Sequence, residues 1–361
     1  MKILHVITSL RKSAGTTTFV NGLCETLHTL GYEFVIALTR IDGEYLGEAP
    51  QVSFRIVRIA DVVRSDERFD VVHMHGLWEF PLISAARWAV ANGMPIIWSP
   101  HGALAPWAMR HHWWKKSLVW HFAQKPLLKK AALFHSTAEQ ESGWIRGLGF
   151  SQNIIEAPLG TTIGTEGHKN VQRPEKRRLL FVGRIYPVKG LVNLINAWRL
   201  VCDSGFPDEG SWVLRIVGPD QAGHRVELEK LAQALKVDGS IEFPGPKFGD
   251  DLIDEYESCD CLVLPSFTEN FGGVVVDAMA HSKPCIASTF TPWRELKERG
   301  CGWWVSNEPS VLANTIREMM YAGDALRFEM GKRGRELVEE KYTWNAITKK
   351  MVEGYIKVLR K

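Results

Sequence analysis

The chain has 361 residues, 45% of them apolar and 24% charged, with a formal net charge of +3. That content suffices for a sizeable core and suggests two domains. It excludes a disordered chain and a strongly basic nucleic-acid binder, so no nucleic-acid partner is expected. The six cysteines (Cys24, Cys202, Cys259, Cys261, Cys285 and Cys301) are scattered, and no second pair stands at zinc spacing beside the C-x-C of Cys259 and Cys261. They read as buried free thiols in a reducing compartment. The opening run "MKILHVITSL" is too short for a secretory core segment, and no apolar run approaches the ~20 residues of a membrane span. The expected location is the cytoplasm.

Short apolar runs predict strands at 2–8, 34–39, 54–59, 70–75, 95–101 and 132–137, with helix-length segments between them such as 17–31 and 81–93. Continuous apolar strands alternating with helices indicate buried parallel strands in an α/β sheet. The pattern stops in the polar, glycine-containing stretch 160–178, which reads as a linker. It restarts with strand runs at 178–184, 211–218, 240–245, 259–266, 283–289 and 301–306, and helices occupy the chain beyond residue 309. The expected division is 1–163, 164–335 and a C-terminal helix, 336–361, packing back toward the first domain.

Neither a G-x-G-x-x-G fingerprint nor a Walker P-loop stands after any of these strands, which argues against a dehydrogenase and a P-loop nucleotidase. In "FVGRIYPVKGL" a buried strand ends at Gly183, with Arg184 and Lys189 in the loop beyond it. Two cations at a strand's carboxyl end suit a diphosphate, and they equally fit ordinary solvated loop charges. In "CLVLPSFTENFGGVVVDAMA" a strand leads into a Gly-rich turn and a helix. The amides of Asn270, Phe271, Gly272 and Gly273 would stand at the helix N-terminus, a favourable place for an anion. Glu269 lies just before this turn and Asp277 inside the helix. As carboxylates they accept from hydroxyls and repel phosphate, so they should face the sugar ends of a ligand; the plainer alternative is a surface Glu and a capping Asp. The ligand implied is a nucleotide sugar.

These segments, with "LRIVGPD", "IEFPGP" and "YTW", resemble the retaining GT-B glycosyltransferases of family 4. The first half does so as well, in "SAGTTTFVNGLCETLHTLGYE", "DVVHMHG", "SPHG", "FHSTAEQE" and "APLG". The resemblance covers essentially the whole chain. It implies two Rossmann-like, doubly wound parallel-sheet domains facing across a cleft. It implies that Arg184 and Lys189 bind the donor diphosphate, that Glu269 contacts the donor sugar, that Asp277 contacts the ribose, and that His101 lies near sugar and phosphate. Gly15 and Gly183 join the donor-binding set. The donor would be GDP- or UDP-linked, with no cofactor and no metal, because the cations and the helix end already stabilise the departing diphosphate. The sequence departs from the family pattern at Asp277, where Glu is usual, and at Ala14–Gly15, Leu159 and Ser282.

Between Glu79 and Glu139 there is no acidic residue, while tryptophans alternate with Lys and His around "WAMRHHWWKKSLVWHFAQKPLLKK". That mixture fits an interfacial helix at an anionic membrane surface. It also fits tryptophans packed into a core under solvated lysines. Trp107 and His75 are assigned to the acceptor side, and the acceptor is expected to be a glycan or a polyprenyl-diphosphate-linked sugar. His5, His73 and His135 read as core residues. The leading expectation is a retaining glycosyltransferase of surface polysaccharide synthesis, peripheral on the inner membrane face. A GT-B sugar-nucleotide epimerase and a non-catalytic sugar-nucleotide-binding subunit are the alternatives.

Overall fold

The computed structural model describes residues 1–10, 15–39, 41, 54–110, 113–164, 174–205 and 211–360. Ala14, residues 165–173 of the expected linker and the side chains of Trp113 and Lys115 lie outside the described residues. The chain divides into two compact units, one of Met1–Gly160 with Trp344–Lys361 and one of Thr161–Thr343.

The first unit is built on a seven-stranded sheet. Its strands are β1 (Lys2–Ile7), β2 (Glu33–Leu38), β3 (Ile56–Arg58), β4 (Val71–His75), β5 (Ile96–Ser99), β6 (Leu133–Ser136) and β7 (Ile154–Glu156), in the order β3-β2-β1-β4-β5-β6-β7. Every pairing is parallel. The central strands are apolar along their whole length because both faces are covered, which is why alternation is absent from their sequences. The second unit holds β8 (Arg177–Val182), β9 (Trp212–Val217), β10 (Ile241–Gly245), β11 (Cys261–Leu264), β12 (Cys285–Ser288) and β13 (Gly302–Val305), in the order β10-β9-β8-β11-β12-β13 and again all parallel. In each sheet the strand order reverses at the middle, between β1 and β4 and between β8 and β11. Sheets of this kind bind ligands outside the strands' carboxyl ends at that reversal.

The boundary expected at 336 falls inside the helix Gly323–Lys341, which stays with the second unit; the chain returns to the first unit only at Trp344. The last helix, Trp344–Leu359, buries Ile347, Met351, Tyr355 and Val358 in a core shared with Phe19, Val20, Leu23 and Leu27 of the helix Gly15–Thr29. Each fully buried apolar side chain of this kind contributes about 1.5–3 kcal/mol. Gly22 makes the contact possible: a Cβ there would stand 2.1 Å from the Trp344 ring. All six cysteines are free, and all but Cys202 are buried.

Candidate active site

In the second unit the loops beyond β8 and β11 meet. The backbone N–H of Phe267 donates to the Val188 carbonyl at 2.9 Å, tying one loop to the other. Pro187–Lys189 forms a single 3-10 turn that directs Lys189 toward the second loop. There its ammonium lies 2.5 Å from Glu269 Oε1, with both side chains largely buried. Ser266 Oγ donates to the same carboxylate oxygen at 2.7 Å. Arg184 is exposed, and its guanidinium donates to Gln221 Oε1 at 2.8 Å. Lys189 thus neutralises the carboxylate that the sequence leads one to expect at the donor sugar.

The helix Gly273–Ala280 begins directly beyond this pair, with Gly272 as its N-cap at φ 80° and ψ 55°. That left-handed conformation favours glycine, and a Cβ there would come within 2.9 Å of Leu264 and 3.1 Å of the Trp293 indole nitrogen. First-turn amides have no partner inside their helix and give it a partial positive end. Asn270 and Gly273 flank the cap as expected. The Phe271 ring is buried against Trp293 and Tyr342, at centroid distances of 4.9 and 5.9 Å, which leaves its backbone amide, the group expected there, at the turn. Asp277 lies a full turn inside the helix and accepts from Thr161 Oγ1 at 2.8 Å. Burial pushes its carboxyl up to about 6, and the Thr161 bond offsets part of that. Ser282, at φ 57°, holds a left-handed conformation that costs a non-glycine residue roughly 1–2 kcal/mol.

In the first unit β1, β4, β6 and the turn beyond β5 carry five histidines in two hydrogen-bonded rows. One row is closed. His135 Nε2 bonds the Ala157 carbonyl at 2.7 Å, Ser99 Oγ stands 2.6 Å from both His135 Nδ1 and His73 Nε2, and His73 Nδ1 meets the Tyr355 hydroxyl at 2.8 Å. A carbonyl only accepts, so His135 carries its proton on Nε2, Ser99 donates to His135, His73 donates to Ser99, and Tyr355 donates to His73. Every member is satisfied, and the row pins the last helix to the sheet. The other row is open: His5 Nδ1 meets His75 Nε2 at 3.1 Å, and His75 Nδ1 meets His101 Nε2 at 3.0 Å. His101 sits in a tight turn at φ 51°. The acceptor-side role expected of His75 does not fit its surroundings. It is 2% exposed and both its ring nitrogens are engaged, so it acts on anything outside only through His101. Gly15 opens its helix with nothing among the described residues within 4 Å of a Cβ built on it.

The tryptophans of the acid-free segment divide. Trp98 and Trp120 are core, whereas Trp107 and Trp114 are each 58% exposed. Trp107 lies in the helix Pro106–Arg110 and Trp114 in the helix Trp113–Val119, which runs on as a π-turn over Trp120–Gln124.

The family model for glycosyl transferases group 1 matches residues 165–337, and that for the glycosyl transferase 4-like domain matches residues 14–160. The chain is a GT-B glycosyltransferase of family 4. A D-inositol 3-phosphate glycosyltransferase of Actinosynnema mirum is 24% identical over 330 residues, 82% of this chain and 75% of that one. An uncharacterized glycosyltransferase of Methanocaldococcus jannaschii is 30% identical over 184 residues, 50% of this chain and 45% of that one, so the match to this second relative spans less than half its length. Among solved structures, a sucrose-phosphate synthase from Thermosynechococcus elongatus superposes with a TM-score of 0.80 at 19% identity, covering 100% of this chain and 99% of that one. Anabaena HepE, crystallised with UDP-glucose, gives 0.79 at 17% identity, covering 99% and 100%. At those identities the superpositions speak for the fold.

Two further residues of the glycosyltransferase belong with the site. Glu141, fully buried, accepts from Gly102 N at 2.5 Å and from Thr137 N at 2.9 Å, and so anchors the turn that carries His101. Its only sequence signal is its place in the first turn of the helix Glu139–Gly147. Thr161, the partner of Asp277, sits 116 residues away in sequence and carries no signal of its own. Among the described residues, one trio, His5, His73 and His75, brings ligand atoms within 4.8 Å of one another. A metal there would have to displace Tyr355 or Ser99 from His73. No helix of the described residues is long and apolar enough to cross a membrane.

Proposed function

We propose that the glycosyltransferase moves a sugar, with retention, from a UDP- or GDP-linked donor to a glycan or polyprenyl-diphosphate-linked acceptor in surface polysaccharide synthesis, at the inner face of the plasma membrane. The observation that carries the reading is the Lys189–Glu269 pair beside the Gly272-capped helix end. Cleavage of the anomeric bond leaves negative charge on the diphosphate and positive charge on the sugar. Arg184, Lys189 and the amides of Asn270–Gly273 answer the first, and Glu269 answers the second. Asp277 accepts from the ribose, Gly15 and Gly183 leave room for the phosphates, and His101 contributes a hydrogen bond. The acceptor attacks the face that the diphosphate leaves, and the departing phosphate takes its proton. The UDP-glucose bound by HepE supports a donor of this class.

The test is turnover with a panel of UDP-, GDP- and ADP-sugars, with and without EDTA. We expect one donor to be consumed with release of its nucleoside diphosphate, undiminished by the chelator. Interconversion of the sugar nucleotide without release would point to an epimerase, and binding without turnover to a non-catalytic subunit. Loss of transfer in EDTA, restored by Mg²⁺ or Mn²⁺, would overturn the metal-free reading.

The membrane part of the proposal rests on a run of exposed apolar side chains. Trp114, Leu118 and Phe122 recur every four residues and are 58, 63 and 79% exposed, and Trp107 and Phe80 are exposed as well. Lys129 and Lys130, farther along the chain, are exposed too. Lys116 is excluded from this role, because its ammonium donates to the Ala108 carbonyl at 2.6 Å and lies over the Trp78 ring. Each lysine near an anionic surface adds about 1 kcal/mol. Changing both Lys129 and Lys130 to Glu should weaken binding to anionic vesicles by at least about 30-fold. Equal binding of the variant would remove the electrostatic part.

A further inference from the structure

The open histidine row ends differently from the closed one. At its inner end His5 is fully buried, and its Nε2 has no hydrogen-bond partner. At its outer end His101 is only partly buried, and its Nδ1 carries no hydrogen bond among the described residues. Burial holds all three rings neutral: His5 and His101 are lowered to about 3, and His75 is lowered well below its ordinary value. Each ring therefore has one proton, and each of the two contacts needs one donor and one acceptor.

These conditions leave two arrangements. If His5 donates from Nδ1, His75 Nε2 is bare, His75 donates from Nδ1, and His101 must carry its proton on Nδ1. If His75 donates to His5 instead, His101 must donate from Nε2, its Nδ1 is bare, and His5 is left with an N–H on Nε2. The second arrangement strands an N–H in the core where the first leaves a bare ring nitrogen, and orphaned buried N–H groups are rare in folded proteins. We infer that His5, acting through His75, sets the tautomer of His101 so that it presents a fixed Nδ1–H donor at its open edge. His5 and His75 are positioning residues. Resting on the proposed placement of His101 beside the donor, this makes its contribution a neutral hydrogen bond to a sugar or phosphate oxygen, and not that of a general base.

The test is the ¹⁵N spectrum of the histidine rings in the full chain without ligand, which needs no knowledge of the substrate. The expected result is Nδ1–H on His5, His75 and His101, against Nε2–H on His73 and His135. An Nε2–H on His101, different tautomers within the open row, or stoichiometric zinc in the purified chain overturns the inference. His5→Asp supplies the second measurement. At alkaline pH, where a carboxyl in place of His5 is ionised, it only accepts from His75, so the row should reverse and His101 should shift to Nε2–H. An unreversed row overturns the inference. With the donor-sugar panel, the reversed variant should show a KM for donor raised about tenfold, as for one lost hydrogen bond. A reversed spectrum with unchanged kinetics would leave the row standing and remove His101 from the donor site.

Discussion

Arg184→Ala should lower kcat/KM for the donor by about 30- to 1000-fold, or about 2–4 kcal/mol of barrier, with little change in melting temperature. Arg184 is exposed and its guanidinium bonds Gln221 at the surface, so its removal disturbs no core. Lys189→Met should lose activity on the same scale and stability as well. It leaves the largely buried Glu269 with Ser266 alone, and removing one partner of a buried ion pair costs about 3–5 kcal/mol. The two variants together separate charge on the leaving group from architecture. Near-normal turnover in Arg184→Ala would take the diphosphate away from this loop.

Asp277→Asn should stabilise the folded protein at pH 8 and not at pH 4. The Asp277 carboxyl is raised from 3.8 to about 6. It binds its proton more tightly folded than unfolded. Its contribution to stability is therefore complete below about pH 3.8 and is lost as the pH rises through about 6. A shift of about two units corresponds to roughly 2–3 kcal/mol. Asn is neutral throughout and keeps an acceptor for Thr161, so the variant escapes that loss. A melting series from pH 4 to pH 8 reads the gap opening with pH. A gap that is constant across the series would sink the assignment of the titration to Asp277. If the carboxylate also receives the ribose hydroxyls, wild-type donor KM should rise as the pH falls through 6, and the Asn variant should show no such inflection.

Most strands are legible in the sequence because parallel sheets covered on both faces need unbroken apolar runs. The exception is β7, whose three residues are too few to stand out from a loop. The second boundary is expected too early because the helix Gly323–Lys341 is polar along most of its length and looks like a departure from the domain. At the site, the residue types are readable and their pairings are not. Lys189 and Glu269 read as groups with separate tasks, and their contact joins residues 80 apart through two loops. Glu141 stays hidden because its partners include backbone amides, which carry no sequence signature. Composition does not sort the tryptophans. Trp114 and Trp120 share the same Lys- and His-rich surroundings, and the π-turn that starts at Trp120 shifts the helical register from that residue onward.

The return of the last helix to the first unit bears on biosynthesis. The ribosome completes β1 to β7 and then makes roughly 180 further residues before Trp344 leaves the exit tunnel. At about 5–20 residues per second that interval is on the order of 10–40 s. Throughout it, the groove beside Gly22, Leu23 and Leu27 has no Trp344, Ile347 or Met351 to fill it, and His73 has no Tyr355. The earliest-made part of the first unit thus waits on a segment made after the whole second unit, and nascent chains will present an apolar groove to holdase chaperones until that helix emerges.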